Sequence, residues 1–414
     1  MRHLTYAGGL DQMAAAGISW TRRNAVLWSA VEPDEGTYNW SAMTGLEAEL
    51  RDAYYRGIQV VLIVRSTPFW ARKVARSNCG PIEAGKLAAF GTFMHDLVAR
   101  YSAPPYNVKY WELWNEPDAP IRTGDPLSGC WGDPTDPYYG GGYYAEMLKA
   151  AYPQIKAANP QAQVLLGGLL LDCDPRPGAG CAAVGHDPTP SMFLEGVLLN
   201  DGGAYFDGVS FHAYDYYYPG KPGEYGNPNW QSAWNTTGPV AVAKAGFIKS
   251  LLSQYGLTGK FLMNTEAALL CDACSNNDAS FETTKASYIV QSYAAALART
   301  LRANIWYSVL GWRNSGLLKP NLSVRPAYTA LQFGRNELQD ASWVRDITKY
   351  TGVKGYEFQR SGRRIWVLWS LDGNIHSLTL PDVPLAGWSD LGNSISPAAS
   401  MDIGLDPVYL EWNP

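Results

Sequence analysis

The sequence has few charged side chains and no long apolar run. Charged residues make up 17% of its 414 residues, and 33 basic against 38 acidic side chains leave a formal charge of −5. So weak a balance provides no electrostatic surface for nucleic acid or an anionic membrane. No stretch approaches the ~18 consecutive apolar residues that cross a bilayer. We therefore expect neither a nucleic-acid partner nor a membrane span, and the 46% hydrophobic share predicts a folded protein with a sizeable core.

The residues of a zinc site are also scarce. The five histidines are scattered, and Cys271-Asp-Ala-Cys274 is the only CxxC pair in the sequence, so half a zinc site or a redox pair is a weaker interpretation. The six cysteines lie in loop-like contexts and predict three disulfides: Cys271–Cys274, Cys173–Cys181 and, by remainder, Cys79–Cys130. Disulfides favour an extracellular or cell-envelope location. No leader peptide is recognisable at the start, so this expectation depends on the cysteines.

Apolar β-like runs alternate with helix-like segments over most of the chain, a pattern typical of a parallel sheet with helical crossovers. An eight-stranded barrel would need one more strand before Leu10, where His3–Tyr6 is too short to serve clearly. The seven predicted strands are 18–24, 59–65, 108–114, 163–167, 206–211, 260–264 and 304–309.

After Pro326 the pattern changes to a helix followed by runs of period two. Gly, Pro, Asp and Asn punctuate these runs, as in a small antiparallel β domain. We therefore predict a parallel barrel over residues 1–340 and a C-terminal β domain over residues 341–414, packed on the barrel.

Two glutamates follow apolar strands of the predicted sheet. Glu116 comes directly after Trp114-Asn115, and Glu266 comes after Asn264-Thr265. A random glutamate is usually a surface charge, but carboxylates rarely follow such apolar runs without a task. Active sites of parallel barrels lie at the carboxyl ends of the strands. Two carboxylates converging there are the pair that glycoside hydrolysis requires.

The run Trp111-Glu-Leu-Trp-Asn-Glu-Pro117 resembles the acid/base strand of the retaining glycosidases with (β/α)₈ barrels, known as clan A. The run Phe211-His-Ala-Tyr214 is similar to the sixth-strand motif of that clan, and Trp20-Thr-Arg22 to its second strand. The resemblance extends over nearly the whole chain. It implies a TIM barrel with a small β domain behind it, and a layout most similar to family 39, with family 5 as the runner-up.

The resemblance also implies roles for individual residues. Glu116 would be the acid/base and Glu266 the nucleophile of a double displacement that needs no metal or organic cofactor. Asn115 would bond the sugar 2-hydroxyl, and the remaining substrate-binding residues would be His212, Tyr214 and Arg22. A family 39-like β-xylosidase or exopolysaccharide glycosidase is expected. Alternatives are a family 5-like endo-β-glycanase and a carbohydrate-binding protein without catalysis.

Further residues have two interpretations each. Trp70, Trp306 and Trp312 could be platforms for sugar rings or members of the core. Glu112 lies an even number of residues before Glu116, so it should share a strand face with it. We interpret Glu112 as structural, bonded to an arginine. Arg23, next to Arg22, should face a helix or solvent. A polar loop could hold calcium, although a simple loop is favoured; its residues are Asp272, Asn276, Asn277 and Asp278.

Overall fold

The computed structural model of the protein describes residues 9–75, 77–121 and 129–413. The run His3–Tyr6, considered above as a first strand, lies outside these residues. In the part of the chain that is described, no helix is both long and apolar enough to cross a membrane.

Strands and helices alternate from residue 9 to residue 338, as predicted. The helices are α1 Gly9–Ala15, α2 Trp28–Val31, α3 Thr44–Tyr55, α4 Leu87–Tyr101, α5 Gly141–Ala158, α6 Gly180–Val184, α7 Phe193–Leu199, α8 Val240–Gln254, α9 Ala279–Ala298 and α10 Pro326–Leu338. The strands are β1 Trp20–Leu27, β2 Gln59–Arg65, β3 Tyr110–Leu113, β4 Gln163–Leu169, β5 Gly208–Tyr217, β6 Tyr225–Asn227, β7 Ser232–Ala233, β8 Phe261–Leu270 and β9 Ala303–Trp306.

These strands form one sheet in the order β1-β2-β3-β4-β5-β6-β7, with β8 between β5 and β9. Strands β1 to β5 pair in parallel, whereas β6 and β7 form a short antiparallel extension of β5. Strand β2 is buried along its whole centre, which explains its unbroken apolar run, since both faces of a parallel sheet are covered. Seven strands occur where seven were predicted, but β5 and β8 extend further than expected.

The C-terminal region is antiparallel, as predicted. Its strands are β10 Ser342–Ile347, β11 Val353–Arg360, β12 Arg363–Ser370, β13 His376–Thr379, β14 Ala386–Ser389, β15 Ser394–Ile395, β16 Ser400–Ile403 and β17 Val408–Trp412. Six of them form one sheet in the order β10-β11-β12-β17-β14-β15, and β13 pairs with β16.

Successive residues of strand β12 lie on opposite faces of the C-terminal sheet, so its two tryptophans have different surroundings. Trp369 packs into an apolar cluster with Tyr288 of α9 and Leu331 of α10. Trp366 belongs to a second cluster, formed by the C-terminal strands themselves. Trp369 is therefore the tryptophan of this strand that meets the helices.

The chain divides into two compact units. Unit one comprises residues up to 10, 19–212 and 246–265, and unit two comprises residues 11–18, 213–245 and 266–414. The boundary falls inside strands β5 and β8. The boundary predicted between residues 340 and 341 stays a prediction.

All three predicted disulfides are present: Cys79–Cys130, Cys173–Cys181 and Cys271–Cys274. Titration of the denatured, unreduced protein with a thiol reagent is expected to find almost no free thiol. Prior reduction should release all six thiols, which provides the control. Several reactive thiols before reduction would contradict the pairing.

Candidate active site

Glu116 lies in a strained turn at the carboxyl end of strand β3. Trp114 and Glu116 both have left-handed backbone, with φ of 70° and 43°, a conformation that costs a non-glycine residue on the order of 1–3 kcal/mol. Backbone bonds hold it there. The Glu116 amide donates to the Gly168 carbonyl over 3.0 Å, and its own carbonyl accepts from Gly129 over 2.8 Å. The Trp114 indole donates to the Cys79 carbonyl over 2.5 Å, so the loop of the Cys79–Cys130 disulfide borders this turn.

The Glu116 carboxyl contacts a buried imidazole. Nδ1 of His212, on strand β5, lies 2.7 Å from Oε1 of Glu116. The His212 side chain is fully buried, whereas that of Glu116 is 18% exposed. A partly exposed carboxyl that contacts a buried imidazole can exchange protons with a ligand.

Arg22 organises the floor of the site in unit one. Its guanidinium bonds both carboxylate oxygens of Glu112, through Nε over 3.0 Å and Nη2 over 2.6 Å. Nη2 also donates to Oδ1 of Asn115 over 2.7 Å. This bond fixes the Asn115 amide, since its oxygen faces Arg22. The structure thus brings Arg22 and Asn115 together, and it confirms that Glu112 is bonded to an arginine.

Arg23 points the other way, as the parity of a strand requires. Its guanidinium bonds Glu49 on helix α3 over 2.6 and 2.9 Å, so the prediction that it faces a helix is confirmed.

Gly168, on strand β4, is the point where these side chains converge. Its amide donates to Oε1 of Glu112 over 2.7 Å. A Cβ placed on Gly168 would lie 2.5 Å from Glu112 Oε1, 2.5 Å from His212 Nε2 and 2.7 Å from Arg22 Nη2. These separations are far below van der Waals contact, so the arrangement of all three side chains requires glycine here.

Gly168→Ala is expected to displace Glu112, His212 and Arg22, with a loss of about 1–3 kcal/mol in unfolding free energy. Misplacement of site groups by about 1 Å can lower turnover about 100-fold. Thermal unfolding and kcat/KM measure the two effects. Gly246→Ala is the matched control, because Gly246 lies within helix α8 and its added Cβ would meet nothing within 4 Å. Equal behaviour of the two variants would contradict the role of Gly168.

A second carboxyl lies close behind Glu116. Asp118 is fully buried and accepts hydrogen bonds from the amides of Leu170 and Leu171, each over 2.8 Å. Burial raises the pKa of Asp118 to about 7, and the Glu116 charge adds to the rise although the two amides oppose it. Asp118 therefore ties the loop after β4 to the turn that carries Glu116.

Unit two contains the other predicted carboxylate. Glu266 lies within strand β8, four residues before its end at Leu270, rather than at the strand end as the sequence suggested. The Tyr214 hydroxyl, from strand β5, donates to Oε2 of Glu266. Asn227 donates to the Tyr214 carbonyl over 2.8 Å, so the β6 extension supports this strand.

The three tryptophans that could be sugar platforms lie in different surroundings. Trp306 is buried in the core of unit two, and its indole donates to the Ser315 carbonyl over 2.9 Å. Trp312 is 45% exposed, and its ring centre lies 5.7 Å from that of Tyr214. Trp70, in unit one, is partly buried, and its indole donates to the Glu32 carbonyl over 3.2 Å. Of the three, Trp312 presents the most open ring.

The polar loop that could hold calcium directs its oxygens to protein donors. Asp272 bonds Arg313, and the oxygens of Asn276 and Asn277 accept from Arg325 over 2.9 and 3.1 Å. Asp278 caps helix α9 by accepting from the Phe281 amide over 2.9 Å. These contacts correspond to the simple polar loop favoured above.

No protein-family model matches the sequence, and no curated protein matches it at a significant level. Solved structures do match. A family 39 glycoside hydrolase from Bacteroides cellulosilyticus WH2 superimposes with a TM-score of 0.72 at 17% identity, over 98% of this chain and 77% of that one. A family 30 endoxylanase from Clostridium papyrosolvens C71 gives 0.60 at 13% identity, over 98% and 92%. A family 86 protein in complex with neoagarooctaose gives 0.61 at 11% identity, over 97% and 70%.

This chain has the fold of the clan A glycosidases. The parallel sheet with its helices and the antiparallel C-terminal strands correspond to that architecture, which confirms the fold predicted from the sequence. At these identities the likeness establishes the fold, and the chemistry has to be argued from the residues.

Proposed function

We propose that the protein is a retaining glycoside hydrolase that cleaves β-glycosidic bonds in oligo- or polysaccharides. One observation carries the proposal. His212 and Tyr214 are two residues apart on strand β5, and therefore share a face of it; each bonds one glutamate, His212 to Glu116 and Tyr214 to Glu266. A strand that holds two carboxyls along one face supports a single site with two acidic groups.

In the proposed cycle, Glu266 attacks the anomeric carbon while Glu116 protonates the leaving glycosidic oxygen. Glu116 then deprotonates a water molecule, which hydrolyses the glycosyl–Glu266 ester and returns the sugar with its configuration retained. The carboxyls are expected ~5–5.5 Å apart, the separation of retaining enzymes. Asn115, which Arg22 fixes through Oδ1, would bond the sugar 2-hydroxyl. No metal or organic cofactor enters this cycle.

Within this class we favour a family 39-like β-xylosidase or exopolysaccharide glycosidase. The family 39 resemblance of the sequence motifs and the fold likeness to a family 39 enzyme support that choice. Three disulfides support an extracellular or cell-envelope location, because such bonds persist in oxidising compartments.

Turnover on a panel of aryl β-glycosides and oligosaccharides tests the proposal, with the first-formed product followed by proton NMR. The β-anomer of the product should appear before mutarotation, and product sizes should separate exo from endo action. An α-anomer formed first would exclude the covalent mechanism. Binding of glycans without turnover of any would instead favour the carbohydrate-binding alternative.

A further inference from the structure

Exposed aromatic rings stand beside Tyr214 in unit two. Tyr307 is 38% and Trp312 45% exposed. Their ring centres lie 6.5 and 5.7 Å from that of Tyr214, whose hydroxyl bonds Glu266. Open, flat rings with a polar neighbour are surfaces on which sugar rings stack.

The turn that carries Trp312 is held firmly in place. The Ser315 hydroxyl accepts from the Trp312 amide over 3.1 Å and donates to the Tyr307 carbonyl over 2.8 Å. The buried Lys285 ammonium donates to the carbonyls of Asn314 and Gly316 over 3.0 and 2.9 Å. A platform fixed before a ligand arrives loses little conformational entropy on binding.

A charged pair borders this platform. The Arg313 guanidinium carbon lies 5.1 Å from the Trp312 ring centre and 5.3 Å from that of Tyr216. Its Nε donates to Oδ1 of Asp272 over 2.5 Å, and its Nη2 donates to Oδ2. The Asp272 side chain is 63% exposed, against 28% for Arg313. The more exposed charge of this pair is therefore negative.

The pairing of Arg313 with Asp272 determines which sugars can bind beside the aromatic rings. An arginine fork without a partner would bind a sugar carboxylate in bidentate fashion. Asp272 already occupies that fork, and its bonds with Arg313 lower the pKa of Asp272, so the carboxylate stays charged over the neutral range. An approaching uronate would meet this negative charge, whereas a neutral ring would meet only hydroxyl-binding groups.

We propose that Tyr307, Trp312 and the Arg313–Asp272 pair form a subsite for a neutral sugar ring, in which Asp272 excludes acidic sugars. The inference rests on the proposed function, which it deepens by naming the substrate class. Asp272 and Arg313 thereby become specificity-determining residues.

Calorimetric titration tests the subsite in a Glu266→Ala background, which prevents turnover. The neutral probes are xylohexaose, cellohexaose and neoagarohexaose, and the acidic probe is a xylo-oligosaccharide with a glucuronic acid branch. At least one neutral probe should bind more tightly than the acidic one. Trp312→Ala should weaken the binding of that neutral probe about tenfold. Binding of none of the neutral probes, or unchanged binding after Trp312→Ala, would overturn the subsite.

Asp272→Asn tests the exclusion. The affinity for the acidic probe relative to the neutral one should rise about threefold to fivefold, the scale of an exposed ion pair. The gain should vanish in about 0.5 M salt, because salt at that concentration screens the attraction between exposed charges. Asp272→Asn combined with Arg313→Gln should keep a smaller gain, because the repelling carboxylate is removed without leaving an unpaired arginine. Asp52→Asn is the matched control and should change nothing, because it breaks a partly exposed ion pair between helix α3 and Arg56, the residue after it. An unchanged ratio in Asp272→Asn, or a gain lost completely in the double variant, refutes the exclusion.

Failure of the proposed function gives a different result. A protein that hydrolyses no glycan yet loses sugar binding on Trp312→Ala retains the subsite without the chemistry. A protein that hydrolyses neutral glycans equally well with and without the Trp312 ring retains the chemistry without the subsite.

Discussion

Glu266→Ala is expected to lower kcat on any substrate by on the order of 10⁴ or more, since loss of a nucleophile removes a whole reaction pathway. At ~1.36 kcal/mol per factor of ten, this corresponds to about 5 kcal/mol of lost transition-state stabilisation. Azide should restore activity on aryl glycosides, because a small anion fits the space that the carboxylate vacates. The rescued product should be the inverted α-glycosyl azide, formed in one displacement instead of two.

Two further variants provide comparisons for Glu266→Ala. Glu146→Ala removes an exposed glutamate from helix α5 and should leave kcat unchanged. Tyr214→Phe keeps the ring beside Trp312 but removes the hydroxyl that bonds Glu266, and should lower kcat by an intermediate factor. Full activity of Glu266→Ala without azide would show that another group is the nucleophile.

Glu116→Ala should have an effect that depends on the leaving group. General acid catalysis contributes about 10²–10⁴-fold, so oligosaccharides and aryl glycosides with poorly acidic phenols should lose about that much. Dinitrophenyl glycosides need little protonation, so their first step should remain fast. Hydrolysis of the glycosyl–enzyme should then limit turnover, because the base that activates water is missing.

Azide distinguishes the two carboxyls. With Glu116→Ala it should accelerate the second step, since an anionic nucleophile needs no base, and the product should be the β-glycosyl azide of retained configuration. Kinetics with a series of phenols, plotted against leaving-group pKa, provide the measurement. A slope equal to that of the parent enzyme would exclude Glu116 as the acid.

The sequence allowed the barrel strands, the disulfides and the opposite orientations of Arg22 and Arg23 to be anticipated for definite reasons. A parallel strand such as β2 is apolar over its full length, and strand parity separates the two arginines. The end of β8 was misjudged, because the residues after Glu266 are as apolar as those before it and nothing in the pattern marks a boundary. The β6–β7 extension of β5 was missed for a similar reason, as its strands are too short to show periodicity.

Residues whose role depends on contacts between separate strands and loops were harder to predict from the sequence. Gly168 is one of 41 glycines, and its importance arises from three side chains brought together by separate strands. Asp118 follows the recognised motif directly, but its full burial depends on the loop after β4. Pairing of Asp272 with Arg313 joins residues from two different loops, so the sequence supported only a general polar loop there. Strand periodicity predicts which face a residue occupies, not which neighbour it meets.

The left-handed backbone at Glu116 has a consequence for protein engineering. Glycine adopts this conformation without the steric cost that a Cβ carries. Selection for heat resistance alone therefore has a backbone reason to accept Glu116→Gly, which would remove the proposed acid/base. Libraries built to stabilise this scaffold should keep position 116 fixed and score turnover together with melting temperature, because here stability and activity select different residues.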